Sequence, residues 1–153
     1  MNDRGAPAAL DWGLLVLRVV TGVVFFMHGW DKLTGEAGVD GTGQFFGQLG
    51  IPAADLAAYV VVALEIVGGI ALVLGLFTRP VGLLFAVEML VALFQVHRPN
   101  GFFVQNGGYE LVLLLGAAGL ALALTGAGAL AVDALFGDRF GAYLGAPRRP
   151  QAA

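Results

Sequence analysis

Four long apolar runs, separated by polar or glycine-rich segments, dominate the chain. They occupy residues 12–33, 53–77, 80–97 and 109–125. Because a helix rises about 1.5 Å per residue, about 20 apolar residues cross the roughly 30 Å hydrocarbon core of a bilayer. Only 12% of the residues are charged, whereas a soluble domain carries about 25%. The runs therefore predict an all-α polytopic membrane protein, built as an antiparallel bundle of four transmembrane helices.

The segments outside the runs complete this organisation. Residues 1–11 form a short polar tail, and residues 126–153 form a C-terminal tail in which residues 131–143 suggest a short surface helix. Six glycines within residues 34–50 argue against a continuous helix there. The first run contains Arg18 and lacks a small-residue cleavage pattern, which favours an uncleaved membrane helix over a signal peptide.

Basic residues predict the orientation of the bundle. Both tails and the turn between the second and third runs must lie on one side of a four-span protein, and that side carries Arg4, Arg79, Arg139, Arg148 and Arg149. The other side carries Lys32 and Arg98. The positive-inside rule then predicts an inner-membrane, multi-pass protein with both termini in the cytoplasm. The loops around residues 34–50 and 97–110 would face outward together.

Three ionisable residues fall inside the runs, namely Arg18, Glu65 and Glu88. Each costs at least about 2.5 kcal/mol at the bilayer centre when unpaired, so we expect them to meet as one buried charge network. One guanidinium facing two carboxylates leaves a surplus negative charge, which favours retention of a proton. The network would either hold the helices together or relay protons. Arg18 could alternatively snorkel to the inner surface.

A second polar group is expected at the outer boundary. His28 and His97 reach that boundary at about the same height, since each lies about 16 residues into its run at the same helical rise. Asp31 lies within one turn of His28, and Glu110 opens the fourth run. These four side chains are the candidate catalytic residues, because an imidazole beside a carboxylate can pass protons near neutral pH.

Neighbouring polar and aromatic side chains are candidates for binding a cofactor in the same pocket: Trp30, Lys32, Asn100, Phe102, Phe103, Asn106 and Tyr109. Each also has a simpler structural explanation, since Asn106 suits a helix cap, Glu110 suits a helix N-terminus, and the aromatics suit an interfacial belt. The absence of cysteine excludes thiolate ligands and leaves two histidines, which disfavours a metal or haem. The net charge of −3, without a basic stripe, gives no indication of nucleic acid.

Several of these motifs resemble the DoxX family, over roughly residues 14–135. The resemblance lies in Phe26-Met27-His28-Gly29-Trp30-Asp31-Lys32-Leu33, Leu64-Glu65-Ile66-Val67-Gly68-Gly69, Gly75-Leu76-Phe77-Thr78-Arg79, His97-Arg98-Pro99-Asn100-Gly101-Phe102-Phe103 and Asn106-Gly107-Gly108-Tyr109-Glu110. It implies a four-helix membrane protein linked to redox chemistry. Relatives of this kind include the small membrane subunit of a thiosulfate:quinone oxidoreductase and a component of a membrane-associated oxidoreductase complex in actinobacteria.

The leading hypothesis is therefore a quinone-linked oxidoreductase, or the membrane subunit of a redox complex, with a quinone bound in the outer pocket. The expected partners are the lipid bilayer, a redox partner protein and a second copy of the chain. Two alternatives stay open: a non-enzymatic membrane anchor or assembly factor for a partner protein, and a transporter of small molecules or protons.

Overall fold

A computed structural model describes residues 8–135, and all regular structure in that part of the chain is helical. The α-helices are α1 (Ala9–Thr34), α2 (Gly38–Gln48), α3 (Ala54–Ala63), α4 (Gly69–Leu74), α5 (Thr78–Ala92) and α6 (Glu110–Thr125). Two π-helical segments, Leu64–Gly68 and Leu93–His97, continue α3 into α4 and extend α5. Short 3-10 turns follow at Arg98–Asn100, Val104–Asn106 and Val132–Leu135.

Three of the resulting helices are long and apolar enough to cross a membrane. They are α1, the second long helix (Ala54–Leu74) and the third long helix (Thr78–Asn100). The fourth, α6, is apolar but has 16 residues, a length of about 24 Å at the helical rise. The all-helical membrane architecture is thus confirmed, whereas a fourth complete span stays a prediction.

Glycine pairs bring the helices into direct backbone contact. A Cβ atom added to Gly22 of α1 would lie 2.6 Å from the carbonyl oxygen of Gly69 in the second long helix. A Cβ atom on Gly82 of α5 would lie equally close, 2.6 Å, to the carbonyl oxygen of Gly119 in α6. Small residues allow this approach, which is how helices associate where lipid removes the hydrophobic driving force. The bundle is therefore built from two helix pairs: α1 packs on the second long helix, and α5 packs on α6.

An aromatic stack joins these two pairs at the centre. The rings of Phe25 and Phe85 lie 3.6 Å apart between centroids with an interplanar angle of 3°, and both side chains are buried. The remaining buried hydrophobic residues of this core are Leu14, Leu72, Met89, Val112, Leu115 and Leu122. Most other large apolar side chains of the helices point outward, as expected for a surface covered by lipid.

The bundle has two chemically different ends. The tail end contains the start of α1, the turn between α4 and α5, and residues 126–135. The loop end contains α2 and the connection of residues 98–109. Backbone and side-chain contacts fasten residues 126–135 across the tail end, through the Asp133 amide to the Gly75 carbonyl (2.9 Å) and the Ala129 amide to Asp11 Oδ1 (2.7 Å).

Two local expectations were wrong. Residues 38–48 form an 11-residue helix, α2, despite their glycines. Packing explains it, because a Cβ atom on buried Gly43 would lie 2.7 Å from Asp55 Oδ1, so the small residue lets α2 lie against α3. Residues 132–135 form a 3-10 turn with Asp133 buried, not the start of a surface helix. The remainder of the expected surface helix, residues 136–143, lies outside the described residues.

Candidate functional site

An ion pair inside the bundle joins α1 to the second long helix. The Lys32 ammonium donates to both carboxylate oxygens of Glu65, at 2.8 Å each. Glu65 is only 3% exposed, while the Lys32 side chain is 28% exposed. Lys32 lies in the last turn of α1, where a cation complements the helix dipole. Its long side chain then reaches from the loop end to a carboxylate near the middle of its neighbour.

Glu88 brings a third long helix to the same place. A Cβ atom on Gly68 would lie 2.9 Å from the Phe85 ring. Glu65 and Glu88 each lie one helical turn toward the loop end from these two residues, so the half-buried Glu88 side chain lies at the level of Glu65. The Glu88 Oε2 atom is fully buried and has no hydrogen-bond partner in residues 8–135. Lys32, Glu65 and Glu88 form what we call the loop-end cluster. It contains two carboxyl groups and one ammonium group, so it is one positive charge short of balance.

Two backbone features position Glu65 in this cluster. A Cβ atom on Gly29 would lie 2.7 Å from Glu65 Cβ and 3.0 Å from the Ile66 nitrogen, so only glycine lets α1 approach this closely. Glu65 itself belongs to the π-helical segment Leu64–Gly68. Such segments insert an extra residue into a helix turn and occur frequently at functional sites. The second π-helical segment contains another candidate residue, His97.

Arg18 does not join the two glutamates, and the expected Arg18–Glu65–Glu88 network is therefore wrong as a set of contacts. The Arg18 guanidinium is 2% exposed and donates to the carbonyl oxygens of Leu72 (3.2 Å), Val73 (2.8 Å) and Leu130. It lies in the first half of α1, beside the end of α4, and it does not snorkel to the surface. Lys32, at the opposite end of the same helix, is the cation that meets Glu65.

A second buried charged residue at the tail end is Asp133, which the sequence did not single out. Asp133 is 1% exposed, interacts electrostatically with Arg18, and accepts hydrogen bonds from the amides of Phe77 (2.9 Å) and Thr78 (3.1 Å). It therefore caps the N-terminus of α5 from a distant part of the chain. The sequence feature that could have identified Asp133 is its position as a single carboxylate between apolar residues of the C-terminal tail. We call Arg18 and Asp133, with their backbone partners, the tail-end network.

The connection of residues 98–109 is a compact loop held by its own hydrogen bonds. His97 Nδ1 contacts the Gly107 carbonyl oxygen at 2.7 Å, and Asn100 Nδ2 donates to the same oxygen at 3.3 Å. The amides of Tyr109 and Glu110 donate to the carbonyls of Gly101 and Phe102, at 3.0 and 2.9 Å. His97 thus fixes the loop that leads into α6, although no carboxylate orients its ring in the described structure.

Aromatic side chains cover this loop. The Phe102 ring makes edge-to-face contacts with Phe103 at 5.4 Å and with Tyr109 at 5.5 Å between centroids. Phe102 and Phe103 are about half exposed, at 47% and 56%. Asn106 lies in a 3-10 turn of the same loop and is exposed. The loop therefore brings together the candidate residues that follow His97 in the chain.

The candidate residues on α1 are separate from that loop. His28, Trp30 and Asp31 are exposed, and no hydrogen bond or ion pair joins them to His97 or Glu110 within residues 8–135. Trp30 stacks on Phe26 of its own helix at 6.0 Å. The expected pocket between the two histidines is therefore not a connected network in this structure. Among the described residues, no group of three His, Asp or Glu side chains could hold a metal ion.

A groove runs along the outer surface of α6 from the loop. It has a volume of about 520 Å³, and its lining residues are Phe102, Val104, Glu110, Leu111, Leu113, Leu114 and Ala117. All of them except Glu110 are apolar. Glu110, in the first turn of α6, places a carboxyl group at the loop end of the groove. The groove is thus a shallow apolar depression on the surface of α6, with one polar group at its loop end.

Long apolar helices, buried glycine contacts and an outward-facing apolar surface define an integral membrane protein of the all-helical class. The sequence model of the DoxX family matches residues 13–98, and the chain belongs to the DoxX family. It is 43% identical over 125 residues to a Bacillus subtilis protein named "Putative oxidoreductase CatD", covering 82% of this chain and 87% of that protein.

Two relatives from Escherichia coli carry names that give their location. The chain is 33% identical over 130 residues to the inner membrane protein YqjF, covering 85% of this chain and 96% of the relative. It is also 33% identical over 125 residues to the inner membrane protein YphA, covering 78% and 87%. An inner-membrane location for this chain is consistent with both. No solved structure matches the chain.

Proposed function

We propose that the protein is a quinone-linked membrane oxidoreductase, or the membrane subunit of a redox complex, and that the groove beside α6 binds the quinone. The groove is the observation that carries this proposal. A membrane quinone has a flat polar headgroup on an apolar tail, and the groove offers an apolar surface with a carboxyl group at one end. The name of the Bacillus subtilis relative independently points to oxidoreductase chemistry.

The lining residues fit such a ligand. Leu111, Leu114 and Ala117 offer apolar surface for the tail, and Phe102 offers a flat ring at the level of the headgroup. Glu110 would hydrogen-bond a headgroup oxygen and exchange a proton with it. A bound quinone supplies the redox chemistry, since it takes up two electrons and two protons on reduction. The protein would orient the headgroup and deliver protons.

Electrons must come from elsewhere, because the chain has no cysteine and its side chains include no redox centre. We infer a partner protein that presents a reduced group, such as a dithiol or a bound cofactor, at the loop end. The exposed rings of Phe102 and Phe103 and the exposed residues His28, Trp30 and Asp31 offer the surface for it. His97 would act as a positioning residue, because it holds the loop beside the groove.

The groove can be tested by photo-crosslinking an azido-quinone to the purified protein in nanodiscs and mapping the labelled peptide. Leu114→Trp fills the groove and should reduce labelling of α6 by about tenfold, the loss expected for roughly 1.4 kcal/mol of binding free energy. Leu124→Trp is the matched control, since Leu124 is an equally exposed leucine of α6 away from the groove (69% against 67%). Equal labelling of both variants and the native chain would reject the site.

A measurement of quinone-dependent turnover distinguishes an oxidoreductase from a non-enzymatic membrane anchor. A combined His28→Ala and His97→Ala variant should abolish quinone-dependent electron transfer in isolated membranes, as should Glu110→Gln. Unchanged turnover, together with loss of a co-purifying protein, would favour the non-enzymatic anchor or assembly factor.

The loop-end cluster favours a second candidate, a transporter of protons or small molecules, because it places ionisable groups midway along two long helices. In that case Glu65→Gln and Glu88→Gln would abolish flux into proteoliposomes, while the histidine changes would matter less. Loss of flux in the histidine variant alone would count against it.

We further propose four complete spans with both termini in the cytoplasm. The chain has no cysteine, so single cysteines report location without background. An impermeant maleimide should label Glu36→Cys and Gln105→Cys from outside intact cells, and Ala129→Cys only after lysis. Labelling of Ala129→Cys on the same side as Gln105→Cys would show that α6 does not cross the membrane.

A further inference from the structure

We propose that Lys32, Glu65 and Glu88 form a site inside the membrane that binds one exchangeable proton. This site is distinct from the groove beside α6, and it does not depend on a quinone binding there. Its three side chains come from three different helices, α1, the second long helix and α5. They meet in a place where an unbalanced charge is costly, because hydrocarbon does not solvate ions.

The charges of the three side chains indicate that the bound ligand is a proton. The Lys32 ammonium contacts both Glu65 oxygens at 2.8 Å, which makes a neutral pair. Glu88 lies at the level of Glu65, because the Phe85 ring one turn before it packs on Gly68, and its buried Oε2 atom finds no donor in the described structure. Two facing carboxyl groups satisfy each other only when a proton lies between them. One proton therefore supplies both the missing hydrogen bond and the missing positive charge.

Among residues 8–135, no other charged side chain makes an ion pair or hydrogen bond with this cluster. In α6 the ionisable residue is Glu110, which lies at the loop end beside the groove. On α1, Asp31 is exposed and Arg18 donates to backbone carbonyls at the tail end. A metal cation is a poorer ligand than a proton here, because the Lys32 ammonium already occupies both oxygens of Glu65.

The structure also provides a way for the proton to exchange. Glu65 is 3% exposed, but the Lys32 side chain beside it is 28% exposed and lies near the loop end of α1. Movement of Lys32 away from Glu65 would open the carboxyl pair toward that end. Glu65 belongs to the π-helical segment Leu64–Gly68, a kind of segment that is frequent at functional sites. A proton bound by the two carboxyl groups is thus buried, but it can exchange with solvent when Lys32 moves.

Infrared spectroscopy of the full chain in nanodiscs can count the protons directly, since a protonated carboxylic acid has a carbonyl band that a carboxylate lacks. The native protein at neutral pH should show the band of one such group, shifted in heavy water because the proton exchanges. Glu88→Gln and Glu65→Gln should each abolish it, since either change leaves one carboxylate for Lys32. Lys32→Met should double it, because both remaining carboxyl groups then need protons.

Glu36→Gln is the matched control, because Glu36 is an exposed glutamate at the same end of the protein. It should leave the band unchanged. Absence of the band from the native protein, or a band that survives in both Gln variants, would overturn the proposal. Circular dichroism and gel filtration of each variant establish that the bundle is intact. The experiment contains no quinone, so its outcome is independent of the groove test.

Discussion

The two ends of the bundle bury charge in different ways. At the tail end, Arg18 and Asp133 are 2% and 1% exposed, and each makes hydrogen bonds to backbone groups. Arg18 donates to the last carbonyls of α4 and to the tail, and Asp133 accepts from the first amides of α5. The Val73 carbonyl and the Phe77 and Thr78 amides lie at helix ends, where backbone groups lack partners within the helix. The charged side chains at the tail end therefore stabilise the fold by pairing backbone groups.

At the loop end, charges contact other charges. Lys32 contacts Glu65, Glu65 faces Glu88, and one buried oxygen of Glu88 has no partner among the described residues. None of these contacts pairs a backbone group at a helix end. The comparison indicates that the tail-end network is structural, whereas the loop-end cluster leaves one buried carboxyl oxygen unpaired, as the proposed proton site requires. Substitutions at the two ends should therefore affect stability very differently.

The largest loss of stability is expected for Arg18→Met at the tail end. The change leaves the carbonyls of Val73 and Leu130 without a donor among the described residues. Each hydrogen bond from a charged donor contributes about 1.5–3 kcal/mol, so the loss of two should lower the free energy of unfolding by about 3–6 kcal/mol. Unfolding in mixed micelles at increasing SDS measures it.

Arg98→Met is the control for that substitution. The Arg98 guanidinium is exposed and lies 5.8 Å from the Phe94 ring centroid, so its removal should cost no more than about 1 kcal/mol. Equal losses for the two arginines would contradict a structural role specific to the tail end.

Asp133→Ala should have a smaller but still large effect. It removes the acceptor of the Phe77 and Thr78 amides, and hydrogen bonds to a charged group contribute about 1.5–3 kcal/mol. We expect a loss of about 2–3 kcal/mol in the same assay, since Arg18 keeps its carbonyl partners. Asp133→Asn retains one acceptor oxygen and should recover part of the loss. No recovery with asparagine would indicate that the charge, and not the cap, dominates.

Hydropathy and the cost of intramembrane charge were sufficient to predict the helices and to select Glu65 and Glu88. They could not choose the cation, because pairing depends on the rotation of each helix and on side-chain reach. Arg18 and Lys32 lie on the same helix, and a count of helical rise places Arg18 closer in depth to the glutamates. The structure shows that Lys32 reaches inward instead.

Other features were missed for separate reasons. Asp133 lies outside the apolar runs, so no argument about membrane depth applied to it. The π-helical segment at Glu65 leaves the hydrophobic pattern almost unchanged, so periodicity cannot reveal it. In α2, helix propensity was overridden by the contact of Gly43 with α3. The groove beside α6 depends on how the loop folds back, through bonds such as Glu110 to Phe102, which no local pattern specifies.

Gly29→Ala should have an intermediate effect, and it acts on the loop end. The new methyl group would lie 2.7 Å from Glu65 Cβ and 3.0 Å from the Ile66 nitrogen, so α1 and its neighbour must move apart. Overpacking of this kind costs about 1–3 kcal/mol. It should also lengthen the Lys32–Glu65 pair and alter the carboxylic infrared band.

Gly13 of α1 provides the matched control, since a Cβ atom there would meet nothing within 4 Å. Gly13→Ala should stabilise the same helix by about 0.5–1 kcal/mol, because alanine loses less conformational entropy in a helix. A destabilising Gly13→Ala, or a neutral Gly29→Ala, would show that the contact of α1 with Glu65 is looser than the structure indicates.

Glu88→Gln should have the smallest effect on stability, and it separates the two ends most clearly. Glutamine keeps the shape of a protonated glutamate and can donate to Glu65, so the free energy of unfolding should change by less than about 1 kcal/mol. The protonated-carboxyl band should nevertheless disappear. If Glu88→Gln instead destabilised the bundle as much as Arg18→Met, an ionised Glu88 would be holding the helices together. The loop-end cluster would then be a second structural network, and its surplus carboxyl group would not bind a proton.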